Sequence, residues 1–506
     1  MLRTIREYVD FQAAERPDAL YLIAPEPGLS MTFAGLQRAS RELARFLLAQ
    51  GILRGDKVAM LMQNGYQTCR LLIGVMYGGF CATPLNLLAH PSQLEYVLNH
   101  SDAKIVFVAP DQLERLNAAL ANVTRDIQIV LCDVDAQEFI PMSDEGVQLP
   151  LVGEEDDALM MYTSGTTGKP KGVVLANRSV VSGGQFVSAA HELEAQDRVL
   201  AVLPLYHINA QIVTATSPLV RGGSLVLPHR FRVSNFWDLV AQHRCTWINV
   251  VPTMISYLLN DAGSVKSGLD LSRVRFCRSA SAPLPPSQHR AFEDAFKIGV
   301  IETMGLTETS APCFTNPLDP SQRKIGSPGR AFGNEAKIVN TEGMALTSGE
   351  AGEIMVRGPN VMKGYYKSPE ETAKALTPEG WLHTGDLGYL DPDGFVFVTG
   401  RIKELIIKGG ENIAPREIDE ALLKHPAVLE AAAVGVPDEH YGQELMACIV
   451  LKPGERCTAD ELRSFCRNEL GAYKTPKSFR FVCELPKGPS GKVQRLKLLD
   501  MEEILA

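Results

Sequence analysis

The chain has 506 residues, 45% of them hydrophobic, and a formal net charge of −9 at pH 7. Domains average roughly 150 residues, so this length predicts more than one hydrophobic core. The acidic balance provides no general attraction for nucleic acid or anionic lipid, and it therefore argues against both as partners.

Cysteine usage and the N-terminal segment indicate the compartment. The ten cysteines are scattered, without a C-x-x-C pair or histidines at zinc spacing, so reduced thiols and a cytoplasmic location are expected. The start of the chain carries charge at Arg3 and Arg6 and lacks an apolar core, unlike a secretory signal. No run reaches the roughly 18 apolar residues of a membrane span, so we predict no stable membrane insertion.

The N-terminal part of the chain alternates between strand-like and helical patterns. Lys57–Met62 predicts a buried strand, and Lys104–Val108 and Gln128–Leu131 predict two further strands. Between them, Tyr66–Gly78 and Gln112–Ala121 have the apolar spacing of helices. This rhythm predicts an α/β fold of mainly parallel sheets covered by helices on both faces.

A loop rich in hydroxyls, glycines and lysines follows the strand pattern Ala158–Met161. Glycines let the backbone approach a ligand closely, and N–H groups with hydroxyls form an anion cradle, so the loop favours a polyphosphate over an ordinary surface turn. It is not a Walker A motif, because its glycines are too close together and Pro170 stands where Ser or Thr is required. The predicted cradle consists of Thr163, Ser164, Gly165, Thr166, Thr167, Gly168, Lys169 and Lys171.

The pattern changes twice in the second half of the chain. Short strands and Gly/Asp/Pro turns, among them Gly352–Val356, predict a β-rich subdomain over about residues 335–399. After Gly400 the α/β rhythm returns, with helix Pro415–Leu423, strands Val428–Val434 and Met446–Leu451, and helix Ala459–Leu470. We predict a large N-terminal domain over residues 1–400 and a small α/β C-terminal domain over residues 401–506.

The hydroxyl-rich loop and the motifs after it resemble the adenylate-forming superfamily of acyl-CoA synthetases, carrier-loading adenylation domains and luciferases. The resemblance runs from about Thr32 to Arg495, with the motifs in the family's order. It implies an AMP-forming acid–thiol ligase that joins a carboxylate to AMP, releases pyrophosphate and then passes the acyl group to coenzyme A. ATP, Mg²⁺ and coenzyme A are the implied cofactors.

The resemblance implies that the motif Glu302–Thr309 holds the magnesium ion and contacts the adenine base of ATP. Glu308 would bind the Mg²⁺ that accompanies ATP, and Thr307 would contact a phosphate, which suits a hard cation that takes carboxylate and phosphate oxygens. Met304 stands where the family usually has a tyrosine against the adenine. A flexible thioether also packs on a base, so adenine binding is retained in this prediction.

Further nucleotide contacts are implied downstream. Small side chains at Ser281 and Ala282 would leave room for the adenine. Asp386 would accept hydrogen bonds from both ribose hydroxyls, because a carboxylate offers two acceptor oxygens, and Arg401 would reach the ribose or the α-phosphate. Lys492 resembles the family's catalytic lysine, whose ammonium bridges the acyl carboxylate and the α-phosphate, two anions that otherwise repel each other.

The resemblance also implies a mobile C-terminal domain. The family rotates this domain between the two half-reactions, and the hinge position falls on Lys403. Gly409 and Gly410 would line the pantetheine path, since only glycine permits so close a backbone passage. Tyr473 and Lys477 resemble positions that stack the CoA adenine and meet its phosphate, with a turn and a solvated lysine as the alternative.

The acyl pocket is implied at His207, Ile208, Asn209, Asn249, Ala280 and Gly305. His207 occupies the family's aromatic gate near the reacting carboxylate, where we count it as catalytic; a core histidine is the alternative. Two amides in a pocket that is normally apolar are costly unless they bond something, so we expect a short or medium acid with a polar or charged end. Similarity to oxalyl-CoA, carnitine-type and aryl-CoA ligases leaves the acid open.

Three other functions share these motifs. A carrier-loading enzyme would deliver the acyl group to a carrier-protein phosphopantetheine instead of coenzyme A. A luciferase-like monooxygenase would use the same nucleotide residues. A catalytically silent nucleotide-binding protein would have lost the chemistry residues, whereas Glu308, Asp386, Arg401 and Lys492 are all present.

Overall fold

The computed structural model describes residues 2–138, 146–163, 169–261, 268–488 and 493–501. Six residues of the predicted site lie outside these ranges: Ser164, Gly165, Thr166, Thr167, Gly168 and Lys492. Within the described ranges, four β-sheets and the helices around them form a mixed α/β structure. The predicted fold class, with parallel sheets under helices, is confirmed.

One sheet of the N-terminal part has seven strands within the described residues: β3 (Lys57–Leu61), β4 (Cys81–Pro84), β5 (Ala103–Val108), β6 (Gln128–Leu131), β7 (Asp157–Thr163), β8 (Lys171–Ala176) and β18 (Gly364–Tyr365). Their order is β18-β8-β7-β4-β3-β5-β6. The run from β7 through β4, β3 and β5 to β6 is parallel. Central strands are buried on both faces, as a parallel sheet between helices requires.

A second sheet has nine strands within the described residues: β1 (Leu20–Ala24), β2 (Leu29–Thr32), β9 (Arg198–Ala201), β10 (Ser224–Val226), β11 (Trp247–Val250), β12 (Phe276–Ser279), β13 (Val300–Leu306), β14 (Ala311–Thr315) and β15 (Arg330–Ala331). Their order is β15-β14-β13-β12-β11-β9-β10-β1-β2. Pairing is parallel from β1 through β10, β9, β11 and β12 to β13. The carboxyl ends of these strands therefore share one edge, where α/β proteins bind ligands.

Helices cover and join the two sheets. Every residue of α3 (Tyr66–Gly78) is buried, including the polar side chains of Gln67, Thr68 and Arg70. The other helices are α1 (Ile5–Glu15), α2 (Phe33–Ala49), α4 (Pro91–His100), α5 (Leu113–Leu120), α6 (Asn177–Ala190), α7 (Ser217–Arg221), α8 (Val233–Gln242), α9 (Pro252–Asn260), α10 (Pro286–Phe296), α11 (Pro369–Ala375), α12 (Pro415–Leu422) and α13 (Ala459–Leu470), with a π-helical segment at Asn209–Thr216. In the ranges that the structure describes, no helix is long and apolar enough to cross a membrane.

An antiparallel sheet of β16 (Glu335–Val339), β17 (Gly352–Arg357), β19 (Leu382–Leu390) and β20 (Val396–Arg401) follows in the order of those strands. A short 3₁₀ turn, Ile402–Glu404, leads from its last residue to the C-terminal sheet. That sheet contains β21 (Ile406–Lys408), β22 (Glu411–Ile413), β23 (Val428–Asp438), β24 (Gly442–Leu451) and β25 (Ser478–Phe481). It has its own apolar core, which includes Ile418, Leu422 and Leu462.

Candidate active site

The two strands that flank the predicted phosphate loop form a hairpin. Thr163, the last residue of β7, pairs with Lys171, the first residue of β8. The ammonium of Lys171 forms an ion pair with Glu371 of α11 and lies 4.9 Å from the centre of the Tyr365 ring. Lys169 approaches the Tyr96 ring at 5.8 Å. The base of the loop is thus closed by strand pairing, and a cation is held beside Tyr365.

Glu308 lies next to this loop through Tyr365. It belongs to a short 3₁₀ turn, Thr307–Thr309, that follows β13 directly. The Tyr365 hydroxyl donates a hydrogen bond of 3.0 Å to Glu308 Oε1. Lys171, Tyr365 and Glu308 therefore form a contiguous row, which brings the predicted phosphate loop and the predicted metal ligand together.

The donor set at this point suits a magnesium ion carried by a nucleotide. Mg²⁺ is usually held by one or two carboxylates together with substrate phosphates and water, not by an all-protein cage. Glu308 supplies one carboxylate, and the described ranges contain no cluster of three or more His, Cys, Asp or Glu side chains arranged to hold a metal. A single carboxylate beside a phosphate loop fits the first arrangement.

Asp386 and Arg401 form an ion pair where the antiparallel sheet ends. They are register partners of β19 and β20, and Arg401 Nε donates to Asp386 Oδ1 at 2.6 Å. Burial disfavours the charge of Arg401, but the Asp386 carboxylate more than offsets this, so the pKa of Arg401 is raised. Asp386 is 5% exposed. The two predicted ribose-binding residues are therefore held together as one unit.

A cavity of about 270 Å³ joins these elements. On one side it is lined by Ser281, Ala282, Met304, Gly305, Asp386 and Arg401. On the other side it is lined by residues of the C-terminal part, among them Lys487, Val493 and Arg495. Lys487 and Val493 form an isolated antiparallel bridge, so they mark the base of the hairpin that carries Lys492.

Arg495 fixes the end of that hairpin. Its guanidinium pairs with Asp419 of α12 and donates to the Ala433 carbonyl at 2.9 Å and to Glu404 Oε2 at 3.2 Å. Glu404 follows the predicted hinge residue Lys403 in the 3₁₀ turn Ile402–Glu404. The segment that bears the predicted catalytic lysine is thus anchored close to the predicted hinge, although Lys492 itself lies outside the described residues.

The predicted acyl-pocket residues gather at the carboxyl edge of the nine-stranded sheet. Asn209 begins the π-helical segment directly after His207 and Ile208, and its amide donates to Ser281 Oγ at 3.0 Å. Asn249 of β11 donates to Asn209 Oδ1 at 3.1 Å. The structure therefore brings the two predicted amides into contact. Ala280 is buried close by, with its N–H donating to the Val250 carbonyl.

Gly305 has a packing role as well as a place in the cavity. A Cβ at this position would lie 1.3 Å from the Ala311 carbonyl oxygen, so only glycine lets β13 turn into its pairing with β14. The glycine of this motif is therefore explained by a close backbone approach, independently of any ligand.

Arg278 is a site residue that the sequence analysis missed. It is the register partner of Asn249 on the neighbouring strand β12, it is 2% exposed, and its Nη1 donates to Asn209 Oδ1 at 3.2 Å and to Asn249 Oδ1 at 3.1 Å. Burial lowers the pKa of Arg278 to about 9. The available signal was an arginine inside the short strand Phe276–Ser279, of which all four residues are buried.

The residues predicted to bind coenzyme A lie on a different surface. Gly409 and Gly410 form the turn between β21 and β22 with φ of +56° and +86°, and a Cβ on Gly409 would lie 3.3 Å from the Tyr473 hydroxyl oxygen. Lys477 forms an ion pair of 3.0 Å with Asp438. As far as the structure describes the chain, none of these residues lines the cavity that holds Asp386 and Arg401.

Glu302 is a second residue that the sequence analysis missed. It lines the cavity near Met304 and is 2% exposed. Its Oε1 accepts a hydrogen bond of 3.0 Å from the Leu284 N–H, and its Oε2 has no hydrogen-bond partner among the described residues. Burial raises the pKa of the Glu302 carboxyl to about 7.

Comparisons with known proteins agree with this geometry. The family profile for AMP-binding enzymes matches residues 9–366, and the profile for the C-terminal domain of AMP-binding enzymes matches residues 417–492. A sulfoacetate–CoA ligase from Cupriavidus necator is 54% identical over 98% of this chain and 97% of its own length. An oxalate–CoA ligase from Arabidopsis thaliana is 35% identical, with 90% of each chain covered. The crystal structure of ATP-bound MatB from Rhodopseudomonas palustris superposes with a TM-score of 0.88 at 28% identity and covers 98% of both chains.

The Glu302 carboxyl should make stability depend on pH. Its pKa is about 7 when folded against an ordinary 4.5, so between these values the folded state holds a proton that the unfolded state has released. Stability conferred by this proton should fall as pH rises through that window, by about 3 kcal/mol in total. Glu302→Gln removes the titration, and urea unfolding at about pH 5 and about pH 7.5 measures the slope.

The matched control is Glu114→Gln, which alters an exposed carboxylate on α5. It should retain the pH dependence of the wild type. Equal slopes in wild type and Glu302→Gln would contradict the assignment of a protonated carboxyl at this position.

Proposed function

Because the chain belongs to the family of AMP-binding enzymes, as an ATP-dependent acid–CoA ligase of the acyl-CoA synthetase branch, we propose that it activates a short acid with a polar or charged end at the cavity beside Asp386 and Arg401. One observation carries this assignment of the centre. Lys487 and Val493, which flank Lys492 in the chain, line the same cavity as Asp386 and Arg401.

The first half-reaction forms an acyl-adenylate. A carboxylate oxygen of the acid attacks the α-phosphorus of ATP, and the bond to the β-phosphate bridging oxygen breaks, releasing pyrophosphate. Asp386 holds the ribose and Arg401 the ribose or α-phosphate, while the loop from Thr163 to Lys171 receives the departing phosphates. Lys492 places an ammonium between the carboxylate and the α-phosphate, where two anions approach each other.

Glu308 is the residue we propose to bind magnesium. When bound there, Mg²⁺ would supply positive charge that offsets the negative charge of the phosphates. Tyr365 orients the Glu308 carboxylate through the hydrogen bond of 3.0 Å to Oε1. Lys171 lies against the same tyrosine ring, so one side chain aligns the metal ligand and a phosphate-binding cation.

The second half-reaction forms the thioester. The thiol of coenzyme A attacks the carbonyl carbon of the mixed anhydride, the bond to the phosphate oxygen breaks, and AMP leaves. We propose that residues 401–506 rotate about Lys403 between the steps, exchanging the Lys492 hairpin for the surface that carries Gly409 and Gly410. The separation of that surface from the nucleotide cavity supports a rotation.

Sulfoacetate is the first acid to test. The 54% identical relative is a sulfoacetate–CoA ligase and a 35% identical relative is an oxalate–CoA ligase, and both names describe very short acids with a second anionic group. Asn209 and Asn249 hydrogen-bond each other and the buried guanidinium of Arg278. This polar cluster supports a polar end for the substrate, because an apolar chain would leave the charge of Arg278 uncompensated.

A screen of acids by pyrophosphate release should rank substrates by the charge and polarity of the end opposite the reacting carboxylate. Sulfoacetate and oxalate should give the highest kcat/KM, with acetate at least about 10-fold lower and long fatty acids at background, because a buried polar pocket rejects apolar chains. Omission of ATP is the control. Preferential activation of long fatty acids would contradict the polar-end assignment.

Lys492→Ala should separate the half-reactions. Acid-dependent ATP–pyrophosphate exchange should fall roughly 100-fold or more, since the ammonium acts where charge develops in adenylate formation. Conversion of a supplied acyl-adenylate and coenzyme A to the thioester should remain within a few-fold of the wild type. The matched control is Lys497→Ala, which alters an exposed lysine of the same segment. Equal losses in both steps would count against the role of Lys492.

Lys403→Pro should have the opposite effect. Proline fixes φ and restricts the preceding residue, so the turn would be locked near one orientation. Pyrophosphate exchange should stay within a few-fold of the wild type, while thioester formation should fall roughly 100-fold. Lys403→Ala, which removes the side chain without the ring, should leave both steps near normal. A parallel fall of both steps in the proline variant would rule out a hinge at this residue.

A further inference from the structure

Arg278 is a buried cation without a counter-charge among the residues that the structure describes. Its side chain lies under the carboxyl edge of the nine-stranded sheet and is 2% exposed. Its hydrogen-bond partners are the neutral amide oxygens of Asn209 and Asn249, and both bonds come from Nη1. No carboxylate of the described residues contacts it, and its Nε has no hydrogen-bond partner there.

The other ionisable groups around Arg278 do not compensate its charge. A small cavity beside the guanidinium is lined by His191 together with aromatic and sulfur side chains such as Phe314 and Cys313. Burial, followed by the charges of Arg278 and Arg275, lowers the pKa of His191, so the imidazole is neutral. An uncompensated charge in such a place is costly and marks a functional group more often than a structural one.

Arg278 also lies on a continuous polar path to the nucleotide cavity. Asn209 contacts Arg278 with its carbonyl oxygen and Ser281 Oγ with its amide nitrogen. Ser281 lines the cavity that contains Asp386. The distance between the cavity and the guanidinium is therefore about the length of one asparagine side chain. An acid that reaches from the cavity to Arg278 can be only a few atoms long.

We propose that Arg278, oriented by Asn209 and Asn249, binds the anionic far end of the acid substrate, so that the enzyme selects short acids with two anionic groups. This inference rests on the proposed function. That function supplies the carboxylate that becomes adenylated, and Arg278 is assigned to the opposite end of the same acid. A planar guanidinium offers N–H donors in a fork that matches the oxygens of a sulfonate or a carboxylate.

Selectivity follows from the cost of leaving the guanidinium unpaired. An acid with a neutral far end would displace water from the pocket and bury Arg278 without an anion, whereas a dianionic acid pairs with it. The two neutral amides orient the guanidinium without compensating its charge. Their carbonyl oxygens accept hydrogen bonds from Nη1, and Nε has no partner among the described groups.

The test uses two acids of nearly equal shape and different charge. Sulfoacetate has an anionic sulfonate, and methylsulfonylacetate replaces one sulfonate oxygen with a methyl group. The wild type should prefer sulfoacetate in kcat/KM by roughly 100-fold or more. In Arg278→Met this preference should shrink to within a few-fold, because the loss falls on sulfoacetate while methylsulfonylacetate is retained or improved. KM for ATP should change by less than about 2-fold, since the hydrogen-bond partners of Arg278, Asn209 and Asn249, belong to the acyl pocket and not to the predicted nucleotide site.

Arg278→Lys provides the matched comparison, because it keeps a cation and removes the planar fork. It should show an intermediate preference for sulfoacetate. A second measurement needs no variant: in the presence of a non-hydrolysable ATP analogue, sulfoacetate should raise the melting temperature of the wild-type protein more than methylsulfonylacetate does.

Four results would overturn the inference: an unchanged preference in Arg278→Met, an equal loss on both acids, equal thermal shifts of the wild type with both acids, or pyrophosphate release by the wild type with neutral and anionic acids alike. The first would exclude contact with the far end, and the second would indicate a packing role. The proposed function fails separately, if no acid in the panel supports ATP-dependent pyrophosphate release. Release with neutral and anionic acids alike would leave that function in place and reject only the role of Arg278.

Discussion

The ion pair between Asp386 and Arg401 holds together the two residues that we propose to bind the nucleoside. Both residues stand at the last register of β19 and β20, with Arg401 Nε 2.6 Å from Asp386 Oδ1. The 3₁₀ turn Ile402–Glu404 follows at once, so the predicted ribose site lies within a few residues of the predicted hinge. A rotation about Lys403 would therefore change what faces the nucleotide while leaving the nucleotide contacts in place.

The proposed reaction brings several anions to one centre, and the positive groups are distributed accordingly. Although the whole chain carries a net charge of −9, Lys171 lies at the predicted phosphate loop and Arg401 at the predicted ribose site. The Lys492 hairpin begins at the opposite wall of the cavity, and Arg278 lies behind Ser281 and Asn209. Each cation is thereby assigned to a different part of the two reactants, ATP and the acid: pyrophosphate, nucleoside, reacting carboxylate and far end. This division explains how an acidic protein handles ATP together with an anionic acid.

Elements specified by local patterns were predictable from the sequence. Helix α3 over Tyr66–Gly78 and strand β6 over Gln128–Leu131 match the predicted bounds, because apolar periodicity and flanking turns determine them. The strand predicted at Val428–Val434 was too short: β23 continues to Asp438, since pairing with β24 carries it past Pro437 into a long hairpin. A local sequence pattern does not predict which strands pair or how far the pairing extends.

The same distinction, between local patterns and contacts of distant segments, separates the site residues that were predictable from those that were not. The hydroxyl-rich loop and the motif around Glu308 were recognisable because their chemistry is concentrated in consecutive residues. Arg278 and Glu302 were not, since each is meaningful only through burial and through neighbours supplied by other strands. An arginine inside an apolar strand is a detectable anomaly, but its partners Asn209 and Asn249 become visible only when the sheet is assembled.

The most direct test of the account is a crystal structure of the protein with a non-hydrolysable sulfoacetyl-adenylate mimic. The account predicts the ribose hydroxyls on Asp386, the Lys492 ammonium beside the bridging group that replaces the phosphate, and the sulfonate on Arg278. A mimic bound away from Asp386, or one whose sulfonate points to solvent while Arg278 remains unpaired, would contradict it.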